Sequence, residues 1–554
     1  AGEVCCGSLG GNMAESVIEH VLGRLKRLGI NKVFGVPGDY AFAVNDAVCN
    51  DKEMRWIGCC NELNAAYAAD GYARIKGLAA LSTTFGVGEL SALCGIAGSF
   101  TEHIPVFHIV GMPAATTQQE HRIVHHTLGT GRFDLFARMA EPAVCASAVL
   151  TPENAVSETE RIITAALMHR RPVYLAVPDD YARMPVIDAA LPPRAPSLSS
   201  PDTLEAAVNA IIEKLERAET AVILAGYLLS RLGLKAQAQE LIEATGLPFA
   251  TMAMDKASLD ETHPQFMGMY IGAKMNPEIR QFIESSDCVL NLGALWSDFN
   301  TGFFTARIEK ARTIAIDHHS VRVGHAIYPG VEMKDLMAAL AAKVKRRSVN
   351  APRTHGLSWP GTETGDRITP EYLYPRWERF FKPNDIIIVE TGTATMGLMC
   401  ASMPKGAVFH NQTLWGSIGW ATPAAFGAAM ADPGRRTVLI TGEGSHQLTA
   451  QEISQFGRFG LKPVIFCLNN DGYLIERLLC KEPMSYYNDL SSWNYTKLPE
   501  ALGCTGWFTA KAASRAELEE AMEKAGTCGA GAYIEVVMDK MAGPPLAMKI
   551  REGG

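Results

Sequence analysis

At 554 residues, with 47% apolar and 20% charged residues, the chain has apolar surface for several packed cores, and at roughly 150 residues per domain it divides into three or four. A formal net charge of −8 excludes the basic surface that a nucleic-acid partner requires. No apolar run reaches the roughly 18 residues of a membrane span and no charged and apolar leader precedes the chain, so we expect a cytoplasmic protein with neither nucleic-acid nor membrane partners. The thirteen cysteines include the adjacent pairs Cys5-Cys6 and Cys59-Cys60, which are poor disulfide partners, and none has CxxC spacing; reduced thiols are expected.

Residues 1–12, glycine-rich and ending just before Met13, read as a leader or cloning remnant. A first α/β block follows over 13–190, with strands predicted at 32–35, 55–59, 79–84, 105–110 and 172–177; their alternation with helical segments implies a mainly parallel sheet. The Pro- and Ser-rich stretch 191–197 reads as a linker. A central block over 201–345 offers strands at 221–225, 288–292 and 313–316 and lacks the GxGxxG fingerprint of a dinucleotide site. Residues 346–366, aperiodic and mixed in charge, Pro and Gly, form a second linker before the last block, 367–554. No internal repeat is visible in the sequence.

The last block carries the most informative frame. The apolar run Val438-Leu439-Ile440 leads to Gly442-Glu443-Gly444-Ser445; a helix is predicted over 447–459, and a second buried strand at 463–468 runs into Asn469-Asn470-Asp471-Gly472. Strand, crossover helix and strand make the two strands parallel, so Glu443 and Asn470 emerge together at carboxyl ends of the sheet, where open α/β sheets bind ligands. The Glu443 carboxylate, the Asn470 amide oxygen and the Gly472 carbonyl are three hard oxygen donors, as Mg2+ prefers. Gly442 and Gly444 let amides approach a phosphate at a helix start that favours its charge. The bland alternative is an ordinary turn at a strand end.

The Gly-acid-Gly, spacer, Asn-Asn pattern resembles the thiamine diphosphate signature. Four further segments are similar to those of the pyruvate and indolepyruvate decarboxylase family of 2-oxo acid decarboxylases: Gly35-Val36-Pro37-Gly38-Asp39-Tyr40, Cys59-Cys60-Asn61-Glu62-Leu63-Asn64, His125-His126-Thr127-Leu128-Gly129 and Gly472-Tyr473-Leu474-Ile475-Glu476. They stand in the family's order, and the resemblance runs from about Met13 onward. It implies three consecutive α/β domains of the thiamine diphosphate-binding fold, the first holding the aminopyrimidine and the third the diphosphate and Mg2+. The implied activity is conversion of a small 2-oxo acid to an aldehyde and CO2.

The resemblance also assigns roles. Glu62 hydrogen-bonds the aminopyrimidine, although Asn61 could equally cap a helix through the Ala-rich segment 65–73, which would make Glu62 an ordinary first-turn acid. Asp39, His125, His126 and Glu476 form the proton-handling set, suited by their mutually tuned charges. Thr391, the Gly416 backbone, Ile418, Gly442, Gly444, Ser445, Asn470 and Gly472 contact the cofactor, and Glu443, Asn470 and Gly472 hold Mg2+. In the family the first domain of one subunit faces the third domain of another, so a homodimer is the minimum, and a dimer of dimers is the common assembly. Phe299, Thr391, Thr395, Ile475 and Leu479 would line the substrate pocket. Thr395 stands where pyruvate-preferring relatives carry a large aromatic residue, which implies substrates larger than pyruvate; a strict pyruvate decarboxylase or an acetolactate synthase-type carboligase is the alternative. The segment 225–229 lacks the cysteine linked to substrate activation in some yeast relatives, so no regulation through that thiol is expected. Glu443 departs from the family's usual Asp; its extra methylene is expected to displace the carboxylate, and Glu443→Asp to preserve or strengthen cofactor retention.

Overall fold

Short runs rich in β-branched residues and bounded by Gly, Asn or Asp build the sheets, and the structure is a computed structural model that describes residues 15–187, 197–354, 356–361 and 366–551. The 1–12 segment and all of the 191–197 linker but Ser197 lie outside the described residues. The first sheet comprises β1 (Lys32–Gly35), β2 (Arg55–Gly58), β3 (Ala79–Thr84), β4 (Val106–Met112), β5 (Ser147–Val149) and β6 (Val173–Pro178) in the order β2-β1-β3-β4-β6-β5, parallel throughout. The five predicted strands are present; the three-residue β5 is added at the edge.

The central sheet runs from β7 (Ala221–Ala225) through β8 (Phe249–Thr251), β9 (Phe266–Met269), β10 (Cys288–Leu292), β11 (Thr313–Ile316), β12 (Ser320–Val323) and β13 (Ala326–Pro329). Its order is β13-β12-β11-β10-β7-β8-β9, and β12 and β13 are antiparallel additions to a parallel body. The stretch after it is no free tether: the Arg347 guanidinium donates to the Leu215, Ala218 and Glu219 carbonyls, and Thr354 N donates to Met267 O.

The third sheet comprises β14 (Ile386–Val389), β15 (Val408–His410), β16 (Thr437–Gly442), β17 (Val464–Asn469), β18 (Phe508–Ala512) and β19 (Ala532–Val537) in the order β15-β14-β16-β17-β19-β18. Strand for strand this is the order of the first sheet, a repetition of topology that the sequence conceals. β14 is buried at every residue, and each such aliphatic side chain contributes roughly 1.5–3 kcal/mol over its exposed state.

The first and third sheets are joined through two alanine-rich helices, Glu62–Lys76 and Ala421–Ala431; the second is buried at every position. Small residues are what this contact needs: a Cβ on Gly71 would stand 2.1 Å from Ala424 O, and one on Gly427 1.8 Å from Ala68 O. A buried ionic network pins the seam. Arg74 lies 2.7 Å from Asp70 and 2.8 Å from Glu102, and donates to Asn411 O, while the Trp420 indole N–H donates to Asp70 and Arg231 Nε to Glu102 O. Removing Arg74 would strand two buried carboxylates, a loss of about 3–5 kcal/mol.

Every cysteine among the described residues is free, and no helix among them is long and apolar enough to cross a membrane.

Candidate functional site

At the carboxyl ends of β14, β16 and β17 the third sheet opens into a cavity of about 410 Å³. It sits at the β14/β16 boundary, where the strand order reverses direction and a crevice forms between diverging connections. Thr391, Gly392, Gly416, Ile418, Gly442, Glu443, Gly444, Ser445, Asn470, Gly472, Ile475 and Glu476 all line it, with Phe299 and Asp298 contributed from the central block.

Glu443 opens the helix Glu443–Thr449, with Gly442 at its N-cap. The predicted single helix over 447–459 is in fact two, separated by a 3₁₀ turn at Ala450–Glu452. The break has a use. It turns the Glu452 carboxylate to accept from Asn64 Nδ2 at 2.8 Å and Cys60 N at 3.2 Å, across to the first sheet's Glu62–Lys76 helix.

Glu443 is 2% exposed, and its Oε1 accepts from Asn470 N at 3.1 Å and Gly472 N at 2.9 Å. Burial raises its pKa to about 7, offset in part by those amides. Around it, one end of the Asn470 amide lies 2.8 Å from Gly472 O and 3.3 Å from Glu443 Oε1. With nitrogen at that end the amide donates to both oxygens; with oxygen there, it stands 2.8 Å and 3.3 Å from them, close to the about 2.9 Å between adjacent corners of a Mg2+ octahedron with 2.0–2.1 Å bonds. The donor set therefore fits a hard cation.

The glycines test the fit with a phosphate. A Cβ on Gly442 would meet nothing within 4 Å, so the space beside that amide is open, whereas one on Gly444 would lie 2.5 Å from the Tyr473 ring. Gly472 has φ +142° and a Cβ there would lie 2.3 Å from Asn488 O. Gly444 and Gly472 are thus demanded by the protein's own packing, and Gly442 leaves room for a ligand. Behind the loop the fully buried Arg477 donates to Asn470 O at 3.3 Å, to Asp471 O at 2.5 Å and to Asp489 at 2.8 Å.

Two expected pocket residues do not line the cavity within one chain. Thr395 sits in the helix Thr393–Leu398, 3% exposed, with its Oγ1 donating to Glu390 O at 2.6 Å; Ala394 and Met396 line the cavity instead. Leu479, one turn beyond Ile475 on the helix Leu474–Leu479, is 57% exposed. The extra methylene of Glu443 likewise does not displace its carboxylate from the loop. With glutamate at 443 the carboxylate meets the backbone amides of Asn470 and Gly472, contacts that a side chain one methylene shorter would lengthen.

The first sheet gathers a second set. Asp39 begins a 3₁₀ turn, Asp39–Ala41, just past the end of β1, and His125 and His126 reach it from a loop after β4. His125 Nε2 lies 2.6 Å from Asp39 Oδ2 and His126 Nε2 3.7 Å from Asp39 Oδ1; the Tyr40 ring stacks on His125 at 4.8 Å. Burial raises the Asp39 pKa, but the hydrogen bond and charge of His125 outweigh it and hold the carboxyl below its usual value. His126 has φ +61°, and its carbonyl packs where Gly86 has no side chain, 2.1 Å from the position of a Cβ.

Glu62 is the first residue of the Glu62–Lys76 helix, capped by Asn61, whose side chain accepts from Asn64 N at 2.8 Å. Its carboxylate is half-buried and makes no hydrogen bond among the described residues. None of Asp39, Glu62, His125 and His126 lines the third-sheet cavity, whereas Glu476 does. Sequence reasoning also missed the roles of Glu390, a lone charge after an apolar run and so a legible signal, and of Arg477, whose neighbour Glu476 masks it.

Three family profiles cover the chain in order: the thiamine pyrophosphate enzyme N-terminal TPP binding domain at 15–133, the central domain at 208–342 and the C-terminal TPP binding domain at 390–536. An alpha-keto-acid decarboxylase of Mycobacterium leprae is 39% identical, covering 95% of this chain and 93% of its own length. The chain belongs to the thiamine diphosphate-dependent 2-oxo acid decarboxylase family. The protein of the same name from Mycobacterium tuberculosis H37Rv is 39% identical over 96% of each chain. Among solved structures, the thiamine diphosphate-dependent 4-hydroxybenzoylformate decarboxylase of Rhodococcus jostii RHA1 superposes with a TM-score of 0.77 over 95% of this chain and 99% of that one; at 19% identity this likeness is one of fold. Thiamine diphosphate is accordingly this family member's cofactor.

Proposed function

We propose that the protein decarboxylates a 2-oxo acid to an aldehyde and CO2 with thiamine diphosphate and Mg2+, and that it accepts branched-chain, longer aliphatic or aromatic 2-oxo acids in preference to pyruvate. The observation that carries the reading is the glycine-built cavity on the third sheet, with the oxygens of Glu443, Asn470 and Gly472 brought together at its floor. When bound, thiamine diphosphate supplies the electron sink for the pair left on the acyl carbon as CO2 departs.

The protein's own residues do the rest. Glu443, Asn470 and Gly472 hold the cation; Gly442, Gly444 and Ser445 offer the diphosphate unpaired first-turn amides. Thr391, the Gly416 carbonyl and the Ile418 side chain orient the rings. Glu62, a helix-first acid with no competing hydrogen bond among the described residues, is free to hydrogen-bond the aminopyrimidine of a cofactor held by a neighbouring subunit. Asp39, His125, His126 and Glu476 move the proton that replaces CO2 and assist aldehyde release. Because the two sets lie apart in one chain, the active unit is a homodimer, with a dimer of dimers as the assembled form in the cytoplasm. Phe299, Ile475, Ala394 and Met396 leave an apolar and adaptable acyl pocket without an aromatic plug in the 393–396 stretch.

The test is an aldehyde-coupled NADH assay with added thiamine diphosphate and Mg2+ over pyruvate, 2-oxoisovalerate, phenylpyruvate and indolepyruvate. We expect larger kcat/KM for the bulkier acids. A preference for pyruvate would overturn the substrate assignment, and carboligation without aldehyde release would overturn the reaction.

A further inference from the structure

Glu390 follows four buried β-branched residues and is itself 1% exposed, yet among the described residues no basic side chain bonds its carboxylate. Its hydrogen-bond donors among those residues are backbone amides. Oε1 accepts from Thr391 N at 3.2 Å, and Oε2 accepts from Gly419 N at 3.2 Å and Ala421 N at 3.3 Å. Burial raises its pKa to about 7, and these amides are what pull it back. A buried carboxylate without a counter-ion is costly, and one that gathers amides from two separate segments does something for them.

Both segments contribute to the cavity's lining: Thr391 and Gly392 follow β14, and Gly416 and Ile418 lie in a turn that leads into the helix Ala421–Ala431. Gly416 and Gly419 have φ of +64° and +90°, a backbone that does not hold itself. The turn has other ties: Tyr67 OH to Ser417 Oγ at 2.6 Å, Ser417 N to Gln412 Oε1 at 3.1 Å and Thr449 Oγ1 to Gly419 O at 2.7 Å. These are neutral and reach the turn from elsewhere. Of these ties it is Glu390 that joins the turn to the end of β14, and charge-assisted bonds are about twice as strong as neutral ones.

We propose that Glu390 is a positioning residue that fixes the width of the cavity, its two carboxylate oxygens clamping the 416–419 turn to the end of β14. The inference rests on the reading of that cavity as the thiamine diphosphate site. It predicts that glutamine is a weaker clamp, because its amide has one acceptor oxygen: with that oxygen on Gly419 and Ala421 its NH2 faces Thr391 N–H, and the reverse orientation releases the turn. An aspartate, one methylene shorter, reaches only one of the two segments.

The experiment measures two quantities on full-length protein carrying E390Q or E390D: thiamine diphosphate affinity, by quenching of tryptophan fluorescence in the presence of Mg2+, and amide hydrogen exchange of the cofactor-free protein. The expected result is about tenfold weaker thiamine diphosphate binding, in the range for loss of an outer-shell partner, with faster exchange confined to residues 414–421 while β14 and β17 stay protected. Unchanged affinity and exchange in E390Q would overturn the proposal. So would a uniform rise in exchange across the third sheet, which marks a residue serving the fold at large. Should E390Q not accumulate as folded protein, E390D is read by the same criteria. If the unsubstituted protein itself fails to bind thiamine diphosphate, the reading of the site fails, and the exchange pattern still judges the clamp.

Discussion

The first and third sheets share one strand order and hold their polar residues past the carboxyl ends of equivalent strands, yet the two ends are finished in opposite ways. On the third sheet the anchoring groups are sealed in: Glu443 is 2% and Asn470 5% exposed, and glycines shape the cavity, while Glu476, which also lines it, is exposed. On the first sheet the Asp39 side chain is 42% and that of His125 60% exposed, and the Glu62 carboxylate makes no hydrogen bond among the described residues. A cation and a diphosphate need rigid, preorganised oxygen and amide donors, which a single chain provides. Proton-handling groups instead need a second surface to bury them, and a single chain leaves them open. The contrast is why we assign the diphosphate end, with Glu476 beside it, to one subunit and Asp39, Glu62 and the histidine pair to its neighbour.

The sharpest way to break this division is at Glu62. In Glu62→Gln we expect aldehyde formation to fall by about 100- to 10,000-fold, the usual worth of a positioned acid or base, with Mg2+ and thiamine diphosphate still retained on gel filtration. Loss of the cofactor along with activity would mean that the first sheet is part of the anchor. A smaller effect is expected at the other end. Glu443→Asp draws its carboxylate back from Asn470 N and Gly472 N, so thiamine diphosphate retention should weaken by about tenfold, read as the concentration needed for half-maximal activity, with kcat at saturation little changed. A fall in kcat with unchanged retention would blur the division between anchor and chemistry.

Much of this was legible in the sequence, for physical reasons that differ from place to place. The strands β1, β3, β7, β10 and β11 fall where 32–35, 79–84, 221–225, 288–292 and 313–316 are predicted, because largely buried parallel strands read as short runs dominated by apolar residues. The strands β12 and β13 carry no such run: Ala326–Pro329 is largely exposed, and its pairing is settled by the neighbouring strand rather than by its own residues. The Gly442 to Gly472 frame predicted the convergence of Glu443 and Asn470, since strand direction alone fixes which end a residue leaves from. Thr395 shows where that logic stops. The chain turns into a helix at Thr393, and a helix aims each side chain by its own rotation, so residue 395 faces Glu390 O and its neighbours at 394 and 396 face the cavity. The breadth of substrate proposed here therefore rests on Ala394 and Met396 rather than on Thr395.

The most direct test of two half-sites completed between subunits is complementation. A chain carrying Glu62→Gln keeps its third-sheet anchor, and one carrying Asn470→Ala keeps its first-sheet acid; each alone should be nearly inactive. Mixed, partially dissociated and reassociated, they should form heterodimers with one intact site of two, and aldehyde formation should return to as much as about a quarter of that of the unsubstituted protein, given random pairing of the chains. Heterodimers that form, as followed by differently tagged chains, and yet stay inactive would contradict the shared site.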